Sequence, residues 1–358
     1  MNPFAKFLRK ATRMTQRNLL SQSAATMQRT LAASQANLKP LTGWQNRPPG
    51  GHAEPANDPS VTAGFHAASY ASDTGTRPYK LFVPEAALAG EPLPLVVMLH
   101  GCTQDPDDFA AGTRMNELGQ ERGFLVLYPQ QGPRSNASKC WNWFRPGDQR
   151  RGEGEPALIA GMTRHVMATH AVDAGRVYVA GLSAGGAMAA ILGREYPDLF
   201  AAIGVHSGLP QGAAHDVASA FSAMKNGPAA KRPRTGSTAP AKAGAPAIVF
   251  HGDSDSTVNP VNGQQVIDDL LSQATAATPE RTAQADAGAH RGFTRTTYRD
   301  AKGRSQAELW EVHGAGHAWS GGSTAGSYTE APGPDATREM LRFFDEHPRL
   351  AVGSTTAG

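Results

Sequence analysis

The run Val177-Tyr178-Val179-Ala180-Gly181-Leu182-Ser183-Ala184-Gly185-Gly186-Ala187 constrains the fold of this chain more than any other stretch. It begins as an apolar, β-rich segment and turns through glycines around one serine. It then continues into Met188-Ala189-Ala190-Ile191-Leu192, small residues compatible with a helix. Gly181 to Gly185 fits G-x-S-x-G, in which a serine sits on a sharp strand-to-helix turn with its hydroxyl exposed. Side chains two residues to either side would clash there, so glycine or another small residue is required. The N-terminal N–H groups of the following helix converge on the same place, which suits a developing oxyanion. The pentapeptide alone is short enough to arise by chance. Its setting, strand before and helix after, makes Ser183 a candidate nucleophile.

Short apolar runs recur on both sides of this turn, at 93–99, 123–129, 201–206, 247–251 and 307–312, and 77–84 alternates like an edge strand. Helical patterns at 106–122, 157–170 and 335–347 lie between or after them, the last supplying Met340, Phe343 and Phe344 to a core. Strands that are apolar throughout and separated by helices predict a parallel sheet covered on both faces. Right-handed crossovers then give an α/β, doubly wound architecture. The 358 residues suffice for one large α/β domain with extensions, or for two small domains.

A serine hydroxyl needs a histidine to take its proton and a carboxylate to orient that histidine. In open parallel sheets such groups lie just past the carboxyl ends of strands, here expected in the order Ser, acid, His. After 247–251 come Asp253 and Asp255. Asp253 is close enough to the strand to cap its own turn, whereas Asp255 reaches further into the loop and is the favoured acid. After 307–312 come His313 and His317. His313 sits at the strand end like a packed residue, whereas His317 follows a glycine loop and is the favoured base. His100, His206 and His251 also sit at strand ends and read as hydrogen-bonded loop-base residues. Ser207 and Ser320 lack a strand–turn–helix setting. Two N–H donors are needed for an oxyanion. Ala184, the residue after the nucleophile, and Cys102, in the loop after 93–99, are the expected pair.

Composition bounds the remaining chemistry. Charged residues make up 18% of the chain and the net charge is +3, which describes a globular protein rather than a nucleic-acid binder. Lys231-Arg232-Pro233-Arg234 reads as a solvated loop. No run of about 18 apolar residues marks a transmembrane helix. Asn18-Leu19-Leu20-Ser21 is too short and too polar for a secretory h-region. Two cysteines, Cys102 and Cys140, cannot build a Cys-rich metal site. They suffice for one disulfide in an oxidising compartment, and otherwise for two thiols.

Residues 1–53 hold no Asp or Glu, and Phe4, Phe7, Leu8, Ala11 and Met14 recur at helical spacing among basic residues. This N-terminal extension, 1–40, reads as a basic amphipathic helix for an anionic surface or a lipid-coated particle, or else as a helix packed on the domain or a floppy leader. Residues 41–75 read as a linker and 76–348 as the main domain. A flexible insertion is expected at about 211–245, and its second half, of Lys, Arg, Pro, Ala, Gly, Ser and Thr, is expected to lack fixed structure. Residues 349–358 read as a disordered tail.

Seven blocks occur in order: His100-Gly101-Cys102-Thr103-Gln104, Tyr128-Pro129-Gln130, Cys140-Trp141-Asn142-Trp143-Phe144, Gly181 to Gly186, His251-Gly252-x-x-Asp255-x-x-Val258, Gly316 to Gly322, and Gly333-Pro334-Asp335-Ala336. Together they resemble the polyhydroxybutyrate depolymerase esterases, a family close to feruloyl and acetylxylan esterases. The resemblance implies an α/β-hydrolase fold. Ser183, Asp255 and His317 would form a triad, and the amides of Cys102 and Ala184 the oxyanion hole. Trp141, Trp143 and Trp319 would border the substrate groove, although tryptophans serve equally in a core. The implied reaction is hydrolysis of a polyester, oligomeric, feruloyl or acetyl ester, with no metal or cofactor. Secreted members carry a signal peptide and often a polymer-binding domain. Neither is seen in this sequence, so the expectation is an intracellular-type enzyme acting on soluble esters, short oligomers or a granule. A granule or membrane surface protein is the non-enzyme alternative.

Overall fold

The apolar runs become the centre of one sheet. The computed structural model describes residues 61–228, 244–272, 278–285 and 290–349. Ten strands are β1 (Gly64–Ser72), β2 (Gly75–Val83), β3 (Leu93–Leu99), β4 (Leu125–Pro129), β5 (Val172–Leu182), β6 (Ala202–His206), β7 (Ala247–Gly252), β8 (Thr278–Gln284), β9 (Phe293–Arg299) and β10 (Ser305–Val312). They hydrogen-bond in the order β1-β2-β4-β3-β5-β6-β7-β10-β9-β8. The middle run from β4 to β10 is parallel. An antiparallel pair closes each side. β4, β6 and β7 are buried along their whole length, as strands covered on both faces must be.

Successive side chains of β3 divide between two cores. Leu95, Val97 and Leu99 join the core built with helices α3 (Gly154–Thr169), α4 (Ala184–Glu195), α5 (Val217–Asn226) and α6 (Val261–Leu271). Val96 and Met98 face α1 (Pro106–Thr113), α2 (Met115–Arg122) and α7 (Ala336–Asp345), where Met340, Phe343 and Phe344 are buried. Helices on both faces of a mostly parallel sheet are the doubly wound α/β architecture anticipated from the apolar runs.

Four expectations are corrected. The linker anticipated over 41–75 does not extend to residue 75, because β1 pairs with β2 from Gly64 to Ser72. Its Ala, Ser and His residues are mostly exposed at the sheet edge and carry no apolar alternation. The helix anticipated over 106–122 is two helices, divided where Arg114 takes a left-handed φ of 57°. The first half of the 211–245 insertion is ordered, with α5 N-capped by Asp216 and burying Ala220 and Ala223. Arg349, assigned to the tail, is bonded to the body: its N–H reaches the Gly175 carbonyl at 2.8 Å and its Nη2 the Ala174 carbonyl at 2.8 Å. The basic extension 1–40, most of the second half of the insertion and the rest of the tail lie outside the described residues.

Candidate active site

Ser183 stands between β5 and α4 with φ 57° and ψ −117°, a conformation that a residue with a Cβ adopts only under constraint. Its N–H donates to the His206 carbonyl at the end of β6, 2.8 Å away. The neighbouring glycines are required by backbone crowding. A Cβ on Gly181 would lie 2.4 Å from the Gly185 carbonyl carbon, and one on Gly185 would lie 2.0 Å from the Leu99 oxygen. The elbow is therefore wedged against the end of β3, which places the loop after β3 beside the serine. A Cβ on Gly101 would sit 3.7 Å from the Ser183 Cβ. That loop is braced by Gln104, whose Oε1 accepts the Gly101 N–H at 2.9 Å and whose Nε2 reaches Asp108 at 2.9 Å.

The two loops that offered paired candidates resolve differently. The His317 Nδ1 lies 2.7 Å from the Asp255 Oδ2, while the other carboxylate oxygen accepts the N–H groups of Thr257 and Val258 at 2.8 and 2.9 Å. Asp253 instead accepts the Gly314 N–H at 2.7 Å, and His313 bonds the Thr294 hydroxyl at 3.0 Å. Both of these pin the loop bases. The Asp255 side chain is fully buried. Burial alone would push its carboxyl up, yet hydrogen bonds from His251 and His317 and the charge of His317 hold it well below the usual carboxylate range. It therefore stays ionised, as an acid that orients an imidazole must.

His251 departs from its expected role as a fully bonded loop-base residue. Its Nε2 lies 2.9 Å from the Val258 carbonyl and 3.4 Å from the Asp255 Oδ2, whereas its buried Nδ1 has no partner among the described residues. Asp255 thus stands between two imidazoles. The His-Gly-x-x-Asp spacing was visible in the sequence, but not that the histidine turns back onto the acid.

His100 and His206 are bonded at both ring nitrogens. The Nε2 of each accepts a backbone N–H, from Gln131 at 3.1 Å and from Ser320 at 3.0 Å respectively. The protons therefore belong on Nδ1, toward the Gly101 carbonyl and the Ser207 hydroxyl. His206 bonds both the elbow, through its carbonyl, and the loop bearing His317, through its ring. Burial pushes His100 down to about 4 and His206 down to about 3. An unfolded histidine takes up its proton near pH 6.5, so below that pH each ring favours the unfolded chain. Stability should then fall as pH drops from 6.5 toward these folded values, by about 1.4 kcal/mol per pH unit for each ring. Urea unfolding at pH 7.5 and pH 5 measures this directly. Equal stability at the two values would show that neither ring is held neutral.

Cys102 and Cys140 are joined by a disulfide. It ties the loop after β3 to the segment Cys140-Trp141-Asn142-Trp143, which is itself held from below by buried Glu155. The Glu155 carboxylate accepts the Asn142 N–H at 2.7 Å, the Asn142 amide at 2.8 Å and the Arg77 guanidinium at 3.2 Å. Cys102, Cys140, Trp143, Ser183 and Ala184 line one cavity.

The tryptophan expectations are partly corrected. Trp141 and Trp319 are fully buried, because each indole N–H finds an internal acceptor: the His100 carbonyl at 3.1 Å and the Thr337 hydroxyl at 2.9 Å. Trp319 stacks on His206 with ring centroids 5.2 Å apart. Neither ring borders a groove; Trp143 alone of the three lines the cavity. The exposed aromatic near this site is Tyr328, whose hydroxyl lies 3.2 Å from that of Thr103. Nothing in its sequence surroundings singled it out.

The chain has known relatives. The chain is 35% identical over 269 residues to poly(3-hydroxyalkanoate) depolymerase C of Paucimonas lemoignei, covering 72% of this chain and 63% of that protein. It is 35% identical over 128 residues to feruloyl esterase B of Thermothelomyces thermophilus, 36% of this chain and 43% of that one. The chain thus spans less than two thirds of the length of these relatives. Among solved structures, an acetyl xylan esterase from Aspergillus awamori superposes with a TM-score of 0.61 at 20% identity, over 79% of this chain and all of that one. That likeness establishes an α/β-hydrolase fold. The sequence model of the esterase PHB depolymerase family matches residues 77–291. With the doubly wound sheet and the serine elbow at its centre, the chain belongs to the PHB depolymerase family of esterases.

Proposed function

We propose that this protein is a serine esterase that cleaves esters of the poly- or oligo-3-hydroxybutyrate type through an acyl-enzyme. The observation that carries this reading is the 2.7 Å bond between the His317 Nδ1 and the buried Asp255 carboxylate. It leaves the Nε2 of that imidazole to act as base. Ser183 attacks the ester carbonyl carbon while its proton passes to His317. The carbonyl oxygen becomes an oxyanion held by the Cys102 and Ala184 amides. The C–O bond to the alcohol then breaks as His317 returns the proton to the leaving oxygen. Water, deprotonated by the same imidazole, attacks the acyl-enzyme, and the carboxylic acid leaves as Ser183 recovers its proton. These steps call on no metal or cofactor. Similarity to a poly(3-hydroxyalkanoate) depolymerase over most of the chain favours a polyester or its oligomers as substrate. The shorter match to a feruloyl esterase supports feruloyl or acetyl esters as the second reading.

A fluorophosphonate should label Ser183 stoichiometrically, as read by mass spectrometry of the modified peptide. The labelled protein should lose hydrolysis of 3-hydroxybutyrate trimers and of p-nitrophenyl butyrate together. Label on another residue, or retained turnover after complete labelling, would exclude the mechanism. A markedly higher kcat/KM for methyl ferulate than for the trimer would select the second substrate class.

A further inference from the structure

One wall of the cavity at Ser183 comes from α5, the helix in the first half of the 211–245 insertion. Val217, Ala220, Phe221 and Met224 all line the cavity. Their spacing of three, four and seven residues puts them on one face of the helix. Trp143 and Phe144 stand elsewhere on its lining, packed edge to face with centroids 5.7 Å apart. Apart from the Ser183 hydroxyl and the Trp143 indole N–H, the side chains of the lining are apolar.

Alpha-helix 5 is fixed to the machinery. At its N-terminus Asp216 and Ser219 form a capping box. At its C-terminus, where the last carbonyls have no partner within the helix, the acid loop supplies donors. The Asn259 N–H reaches the Met224 carbonyl at 2.7 Å, and its side-chain amide reaches the Lys225 carbonyl at 3.1 Å. The Asn262 amide reaches the Ala223 carbonyl at 3.1 Å. Asn259 follows Val258, whose N–H is bonded to Asp255 and whose side chain also lines the cavity. The wall is therefore in place before substrate arrives.

The side of the ester that enters the cavity follows from the proton path. In the proposed reaction the leaving alcohol must lie beside His317, which returns its proton. The cavity is lined by Ser183 and by both expected oxyanion donors but not by His317, so it lies on the acyl side.

We infer that α5 is the acyl-specificity wall: the cavity takes the acyl group as hydrocarbon without free hydroxyls, and Phe221 and Met224 set the length it admits. This rests on the esterase reading above. A hydroxyl carried into the cavity would give up its water for a largely apolar lining, which disfavours it by roughly 10- to 100-fold. An ester-linked oxygen has no proton to satisfy and is tolerated, which suits an acyl unit inside a polyester chain. Each methylene that fits or fails to fit an apolar pocket changes kcat/KM by about 10- to 200-fold.

The experiment is a profile of kcat/KM across p-nitrophenyl acetate, butyrate, hexanoate, octanoate and decanoate. It compares the wild type with Phe221→Ala, Met224→Ala and Ser222→Ala, each checked for fluorophosphonate labelling at Ser183. Ser222 is exposed on the same helix. Truncating Phe221 or Met224 should move the optimum at least two carbons longer and raise the octanoate-to-butyrate ratio at least tenfold, with Ser222→Ala matching the wild type. Phe221→Leu, a smaller change at a half-buried position, reads the same shift if Phe221→Ala fails to fold. Variants that label at Ser183 and turn over with an unmoved profile would overturn this inference and leave the esterase reading standing. Wild-type protein that does not label at Ser183 would overturn both.

Discussion

Ser183→Ala is expected to lower kcat by about 10⁴- to 10⁶-fold on every ester the wild-type protein hydrolyses, with the fold intact. The two halves of that expectation have separate physical grounds. Serine and alanine carry the same Cβ, so the positive φ at this position strains both equally. The N–H bond to the His206 carbonyl, the residue's tie to β6, survives the change. What is lost is the oxygen that forms the acyl bond in the proposed mechanism, and the neighbouring serine hydroxyls are engaged elsewhere. Ser207 turns its hydroxyl toward the His206 ring at 3.1 Å, and Ser320 donates to the Pro334 carbonyl at 2.8 Å. On the proposed mechanism, any remaining rate would come from the two amide donors acting on attack by water. The measurement is kcat alongside a thermal unfolding curve. An intact variant hydrolysing at the wild-type rate would remove Ser183 from the chemistry.

The second large effect concerns folding. Gly185→Ala is expected to destabilise the protein by more than about 4 kcal/mol, or to prevent soluble expression. The new methyl would fall 2.0 Å from the Leu99 oxygen, 2.6 Å from the Leu99 carbonyl carbon and 2.7 Å from the His100 oxygen. All three are backbone atoms. Leu99 is held in register with Gly181 across the β3–β5 ladder, so relieving the clash means separating the elbow from the loop that carries Cys102. Gly132→Ala is the control, since a Cβ there meets nothing within 4 Å. It should leave the urea midpoint unchanged. Wild-type stability in Gly185→Ala would show that the turn is not closed by backbone contact.

Parts of the molecule that rest on local signals were legible in the residue order. Each central strand is a short apolar run because both its faces are covered. The elbow is a pentapeptide whose glycines answer to contacts inside one turn. The acid and histidine loops could be located because active-site groups sit past strand ends. Within each loop, choosing Asp255 over Asp253 and His317 over His313 needed only a judgement of reach, and the structure bonds the chosen two to each other. The outer strands were less legible. β8 and β9 read Thr-Pro-Glu-Arg-Thr-Ala-Gln and Phe-Thr-Arg-Thr-Thr-Tyr-Arg. At the sheet edge the described side chains of β8 face solvent, and beside it β9 buries Thr294 and Thr297 in place of apolar residues, so the alternation that marks a strand is diluted.

Sequence thus suffices for the parallel core, the elbow and the candidate triad, because each follows from contacts within a few residues or from position along a strand. Tertiary packing alone settles which surfaces surround the serine. Trp141 and Trp319 are withdrawn into the core because an acceptor happens to lie within reach of each indole N–H, and Trp143 is left at the cavity. His251 becomes a second imidazole on Asp255 because the loop between them folds back. The helix that walls the cavity is held by Asn259 and Asn262, more than thirty residues further along the chain. Such contacts join segments distant in sequence, and no local pattern of residues encodes them.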